Sequence, residues 1–362
     1  MLNPFYNRGE HRVRSFWRVL IQGVLYVAGT ILFGIALGVG VVLWLLASGQ
    51  VTPAQMQDAR VLSPLISRAL NELPGLNLLS ALVSFVLLLG TVALAGRFLD
   101  HRPFKDFGFH WNGAWRRDFG FGLALGALLM LGIFGVEWAA GWVTITGLFQ
   151  SRENNFALAI LQGAISFIFV GVYEELFSRG YQLRNLAEGL NWRWFGPRGA
   201  LVLAYLLSSL VFGFLHWLNP NSTLWTTLNL VLAGLFLGLG LILTGELAIG
   251  IGIHITWNFF QGYVFGLPVS GIAISASLIG IRQSGPELWT GGAFGPEGGL
   301  MGILAILVGV AFILLWVRYT RGRIALDERL AGYVRPGAPA GDQTVTGKSS
   351  TRPPDHFPIV FK

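Results

Sequence analysis

Cysteine is missing from all 362 residues, which excludes disulfides and thiolate chemistry. Charge is scarce as well. Asp, Glu, Lys and Arg make up 12% of the chain against 53% hydrophobic residues, so a soluble surface would go largely without polar cover. Short alternating strands are also lacking; the apolar runs are continuous, which argues against a β-barrel. The net charge of +7 is spread over connecting segments, with no compact basic and aromatic surface, and this argues against a nucleic-acid partner. No soluble domain and no internal repeat is visible.

What is present is membrane-like. Mean hydropathy is positive. Several runs reach the roughly 18–20 residues that a helix needs to cross a bilayer. Forty-nine glycines suit close helix packing, with GxxxG spacing at Gly34/Gly38, Gly122/Gly126 and Gly234/Gly238. The expected fold is all-α: a polytopic transmembrane helical bundle of about eight spans, near 19–47, 76–96, 119–140, 156–178, 200–218, 225–244, 247–265 and 298–317. The first run is too long for a signal-peptide core and reads as an anchor.

Basic residues set the direction. Arg8, Arg12, Arg14 and Arg18 precede the first span, and Arg97, Arg102, Lys105, Arg116 and Arg117 fill the second connection. Arg179, Arg184, Arg193 and Arg198 follow the fourth span, whereas the opposite-side connections hold only Arg60, Arg68, Arg152 and Arg282. Both termini are therefore expected in the cytoplasm. Trp17, Trp111, Trp115, Trp192 and Trp194 would form an interfacial belt on that side. Residues 334–362, rich in Pro, Gly, Ser and Thr, read as a disordered tail in which His356 is solvated. The long 266–297 connection reads as a cover for the outer face or a mobile loop.

Glu174 and Glu175 stand where a long apolar run meets Leu176 and Phe177. Each carboxylate costs on the order of 2.5–3.5 kcal/mol at the centre of a span, so such groups face a cavity or a partner. Glu175 and Arg179 are one turn apart with the acid first, which neutralises Glu175. Glu174 is rotated away by about 100° and is left for chemistry. Two histidines lie in spans, His216 at the end of Phe212–His216 and His254 one turn before Asn258. Singly, each residue has a plain explanation: an interfacial histidine, a structural ion pair, a hydrogen-bonding asparagine. Glu137 and Glu246, near predicted span ends, read as snorkelling acids. The joint occurrence on three spans points to a site.

Two chemistries fit this set. Glu174, His216 and His254 are a zinc-type ligand set that leaves water in the fourth position. Alternatively, Glu174 and His216 deprotonate water directly while His254 and Asn258 donate to the oxyanion of a tetrahedral intermediate. Both give amide or ester hydrolysis in a water-filled pocket within the membrane.

These motifs, EExxxR at Glu174–Arg179, FxxxH at Phe212–His216 and HxxxN at His254–Asn258, resemble those of the CAAX protease and bacteriocin-processing (CPBP) family of intramembrane proteases, related to the CAAX prenyl endopeptidase. The resemblance spans about 75–265, between an N-terminal segment with the first anchor (1–74) and a region with the long connection, last helix and juxtamembrane residues (266–333). It implies that Glu174 and His216 activate water, that His254 and Asn258 stabilise the oxyanion, and that Glu175 and Arg179 support them. The family carries a metalloprotease label, while its eukaryotic branch is viewed as glutamate-centred, so zinc stays open at this point.

The expected function is an intramembrane endopeptidase in a bacterial cell membrane, acting on hydrophobic or lipid-modified peptides near their cytoplasmic ends. The alternatives are a proton- or ion-coupled transporter and a non-catalytic immunity or scaffold protein. One geometric demand follows. The fifth span carries His216 roughly 24 Å from its start at 1.5 Å per residue. For Glu174 to meet it, the fifth helix must begin well outside the hydrocarbon or the fourth must continue past Arg179 and tilt. Both are expected in part, with the fourth helix running on to about Asn185.

Overall fold

The computed structural model describes residues 3–72, 75–152 and 155–333. The expected tail, with His356, lies outside the described residues. After a short hairpin of β1 (Tyr6–Asn7) and β2 (Arg12–Val13) comes α1 (Ser15–Ala47), then α2 (Ala59–Glu72), α3 (Leu76–Ala95) and α4 (Gly113–Ala139). Strand β3 (Val143–Ser151) leads to α5 (Phe156–Glu175), α6 (Arg184–Leu190), α7 (Gly196–Leu215), α8 (Leu224–Thr244) and α9 (Ala248–Phe259). Strand β4 (Ala276–Gln283), the short α10 (Glu287–Thr290) and α11 (Leu300–Arg321) complete the fold. It is the expected helical bundle of an integral membrane protein.

Local chemistry sets the helix ends. Asn112 and Asn155 cap α4 and α5 by accepting from the N–H groups of Trp115 and Leu158. A reciprocal capping box of Thr223 and Thr226 opens α8. Gly245, at φ 75°, ends that helix in the left-handed conformation that favours glycine.

Among the described residues, seven helices are long and apolar enough to cross a membrane. The eighth expected span is different. Helix α9 has 12 residues, and the π-helical turn Phe260–Val264 extends it by five. It falls short of the usual length because it is not a lipid-facing element: Ala248 through Ile255 are all buried, as expected of a helix apolar all round. Glycines on α4 let α9 approach. A Cβ on Gly122 would lie 2.4 Å from the Ile249 carbonyl oxygen, and one on Gly126 would lie 2.5 Å from that of Ile253. The Gly34/Gly38 spacing on α1 serves no such contact, since nothing lies within 4 Å of either Cβ position.

Helix α5 does not end at its acidic pair. It passes through a wider π-helical stretch, Leu176–Leu183, into α6, forming one rod from Phe156 to Leu190. This exceeds the extension to Asn185 that the sequence demanded.

One sequence expectation is narrowed and two are corrected. Of the two readings of the 266–297 connection, the mobile loop is set aside: β4 pairs antiparallel with β3, from Val143 opposite Gln283 to Ser151 opposite Ala276. Trp115 is not interfacial; it is buried and donates its indole N–H to the Gly108 carbonyl at 2.9 Å, while Trp192 and Trp194 stay exposed. Glu137 does not snorkel, because its side chain is fully buried.

At the end of the bundle that carries the N-terminal hairpin, charges condense into a buried network. Arg12 and Arg18 both reach Glu188, at 2.8 and 3.1 Å, and Arg18 also pairs with Asp100 at 2.8 Å. The Arg12 guanidinium sits 3.4 Å over the Tyr333 ring, so the first and last described segments meet at one end. At that same end the Gly108 carbonyl accepts from Leu247 N–H, which fixes the start of α9.

The α4–α9 contact yields the first prediction. Gly126→Val places carbon where Ile253 and Thr256 already stand, and overpacking of this kind costs about 1–3 kcal/mol. Thermal unfolding in detergent should show a lowered midpoint. An unchanged midpoint would mean that α4 and α9 are not in close contact.

Candidate active site

Glu174 and His216 come together because α5–α6 and α7 form a hairpin with arms of similar length. From Glu174 to the end of the rod at Leu190 is about 24 Å at 1.5 Å per residue, and from the start of α7 at Gly196 to His216 is about 30 Å. The arms differ by only about one helical turn, and the two side chains come within reach of each other. Glu174 Oε2 lies 3.9 Å from His216 Nε2. Helix α9, enclosed by the bundle, brings His254 Nε2 to 3.8 Å from the same oxygen. Asn258, one turn further along α9, lines the same cavity.

The histidines are held by their other nitrogens. His216 Nδ1 is 2.8 Å from the Phe212 carbonyl oxygen, which can only accept, so Nδ1 carries the proton and Nε2 turns to Glu174. His254 Nδ1 is 3.0 Å from Glu175 Oε1. Glu175 in turn accepts from Arg179 Nη1 at 2.8 Å. Arg179 spends its second arm on the Gly234 carbonyl at 2.9 Å and stacks 4.2 Å over Phe212. Both Glu175 and Arg179 are fully buried. Glu175 thus neutralises Arg179, as the helical spacing implied, and also orients His254, which spacing could not reveal. Room for this carboxylate comes from Gly250, where a Cβ would stand 3.1 Å from Glu175 Oε2.

The cavity measures about 470 Å³, within the range of small-ligand and substrate pockets. Its polar end holds Glu174, His216, His254 and Asn258, and the rest of its wall is mainly apolar, including Phe167, Val170 and Ile274. Glu174 Oε2 is buried without a hydrogen-bond partner. Part of the wall comes from the stretch before β4, through Val269, Ser270, Ile272 and Ile274.

Glu297, from the connection before α11, pins this stretch. It accepts from Ser270 N–H at 2.5 Å and Ser270 Oγ at 3.1 Å, and it also bonds Gln261 Nε2. Burial pushes its carboxyl above the ordinary carboxylate range, against the pull of these donors. Asn219 adds a bond to the Ser270 carbonyl at 3.0 Å.

Sequence reasoning passed over Glu297 and two tyrosines on the wall, Tyr26 and Tyr173. Tyr173 lies against Glu174, and its place immediately before the acid pair was the available signal. An isolated acid in the glycine-rich stretch around Glu297 was the other. Glu137 and Glu246 take no part; Glu246 bonds His110 Nδ1 at 2.7 Å, away from the cavity.

The zinc reading meets a geometric obstacle. Glu174, His216 and His254 are suitable donors, but their 3.8 and 3.9 Å separations exceed the about 3.3 Å between two ligands of a tetrahedral zinc. Among the described residues, no three His, Cys, Asp or Glu side chains form a metal-holding group. The residues as placed do not fit a resident zinc.

Bundle and cavity together define an integral membrane protein with a buried carboxylate–imidazole chamber. Residues 156–260 match the family model described as type II CAAX prenyl endopeptidase Rce1-like, which bears out the resemblance drawn from the three motifs. That segment contains Glu174, Glu175, Arg179, His216, His254 and Asn258. No curated protein and no solved structure gives a significant match.

The Arg179 arrangement is testable. Arg179→Ala leaves Glu175 buried and uncompensated, and breaking a buried pair costs about 3–5 kcal/mol. Arg179→Lys keeps the charge but not the fork that reaches both Glu175 and Gly234. Thermal unfolding in detergent should show a large loss for the alanine variant and a partial one for lysine. Full stability in Arg179→Ala would refute the central role of this pair.

Proposed function

We propose that the protein is an intramembrane endopeptidase in which Glu174 acts as the general base on water. The observation that carries this reading is the convergence of two histidine Nε2 atoms on the one unpartnered, buried oxygen of Glu174. A family match to CAAX prenyl endopeptidases over this segment supports it.

A water about 2.8 Å from both Glu174 Oε2 and His216 Nε2 satisfies ordinary hydrogen-bond lengths across their 3.9 Å gap. His216 orients this water through its Nε2 lone pair, since Nδ1–H is committed to Phe212. Water adds to the peptide carbonyl carbon as its proton passes to Glu174. Charge then develops on the carbonyl oxygen. His254, donating Nδ1–H to Glu175, presents Nε2 to the cavity, and in its protonated form it donates there to the oxyanion alongside the Asn258 amide. With His254 protonated, two carboxylates face two cations and the buried set is neutral. Collapse of the intermediate breaks the C–N bond. The proton on Glu174 passes to the leaving nitrogen, giving a free amine and a carboxylic acid.

The substrate reading follows from the wall. A mainly apolar cavity suits a hydrophobic or lipid-modified peptide, and the bilayer is the protein's other partner. No metal takes part in this reading, because the spacing of the residues does not suit one.

A peptide library, prenylated and unmodified, offered to purified protein tests the reading. Glu174→Gln and His254→Ala should each lower cleavage by about 10²–10⁴-fold, and chelators should leave the wild type unaffected. Cleavage that survives both substitutions would sink the site assignment. Loss on chelation with recovery on adding zinc would favour the metal version.

A further inference from the structure

The chamber has a direction. Its loop-borne wall residues, Asn219, Val269, Ser270, Ile272, Ile274 and Glu297, come from the α7–α8 and α9–α11 connections. Both connections lie at the end of the bundle remote from the Arg12–Tyr333 contact that joins the first and last described segments. No wall residue comes from the connections at the near end, which are 96–112, 191–195, 245–247 and 322–333. Between the chamber and the near end, the bundle is filled by the buried side chains of Leu176, Tyr181, Leu183, Leu241, Leu247 and Ile251. The fully buried Arg179–Glu175 pair closes the floor.

Charge identifies the two ends. The near end carries the basic residues of the N-terminal segment and of the connections after α3, α6 and α11, whereas the remote end has Arg60, Arg68, Arg152 and Arg282. By the positive-inside rule, the near end is cytoplasmic. Around the chamber mouth the surface is apolar. Leu215 and Ile272, both wall residues, are more than half exposed, and Leu218 beside them is 91% exposed.

We propose that the chamber opens toward the extracytoplasmic side, and that its substrates are hydrophobic, membrane-anchored polypeptides presented from that face rather than at their cytoplasmic ends. The choice of substrate rests on the endopeptidase reading; the direction of opening does not. The stretch 269–274 then forms the wall that an incoming segment meets, and Glu297 holds it in place through Ser270.

The natural lack of cysteine makes the test clean. Single cysteines are introduced by Ile272→Cys and Ser284→Cys at the chamber end and by Trp194→Cys at the other, all at exposed positions. Intact bacterial cells expressing each variant are treated with a membrane-impermeant maleimide, before and after permeabilisation. The proposal predicts labelling of Ile272→Cys and Ser284→Cys in intact cells, and of Trp194→Cys only after permeabilisation. The reverse pattern overturns it, and with two positions at the chamber end one poorly folded variant does not blunt the test. A charged, impermeant peptide carrying a hydrophobic segment is then added to sealed vesicles of wild-type protein. Faster cleavage in right-side-out than in inside-out vesicles supports the substrate class, and the opposite preference overturns it. No cleavage in either vesicle type or in detergent counts against the endopeptidase reading itself, while the labelling still decides the opening.

Discussion

Everything at the chamber hangs on the buried pair of Arg179 and Glu175. One guanidinium binds the Glu175 carboxylate on its own helix and the Gly234 carbonyl on α8, and it stacks on Phe212 of α7. Glu175 passes the connection on to His254 of α9. Four helices are tied at one point inside an apolar interior, where an unpaired charge is far costlier than at a surface. The pair is therefore both a structural knot and the device that aims His254. Glu174, the preceding residue, is rotated by about 100° from Glu175 and faces the other ring nitrogen of the same His254.

Matched lengths do the rest. A rod of α5 and α6 running down and α7 running back up bring Glu174 and His216 within reach of each other, and a short enclosed helix inserts His254 and Asn258 beside them. That enclosure depends on small residues: Gly122 and Gly126 admit the α9 backbone, and Gly250 makes way for Glu175. Wider π-helical turns begin directly after Glu175, taking in Arg179, and directly after Phe259; such bulges are frequent at functional sites.

Much of this was legible in the sequence. Long apolar runs announced the bundle, and helical spacing separated Glu175 from Glu174 correctly. The need for the fourth helix to continue past Arg179 came from counting rises along two spans. What the sequence hid depends on contacts between distant segments. Nothing local marks β3 and β4 as partners across more than a hundred residues, and their pairing turns the 266–297 connection into a wall of the chamber. Trp115 looked interfacial because it sits at a helix start, yet the Gly108 carbonyl draws it inward. Arg12 and Arg18 counted as loop charges until Glu188 and Asp100 were seen facing them. The double duty of Glu175 was invisible for the same reason, since its second partner is 79 residues away.

The central claim is that Glu174 and His216 share a water. A high-resolution diffraction experiment with data at the zinc absorption edge tests this most directly. The proposed chemistry predicts a solvent oxygen about 2.8 Å from both Glu174 Oε2 and His216 Nε2, with no anomalous signal. An anomalous peak roughly 2.0–2.1 Å from the Nε2 atoms of His216 and His254 would contradict it and make the centre a metal site.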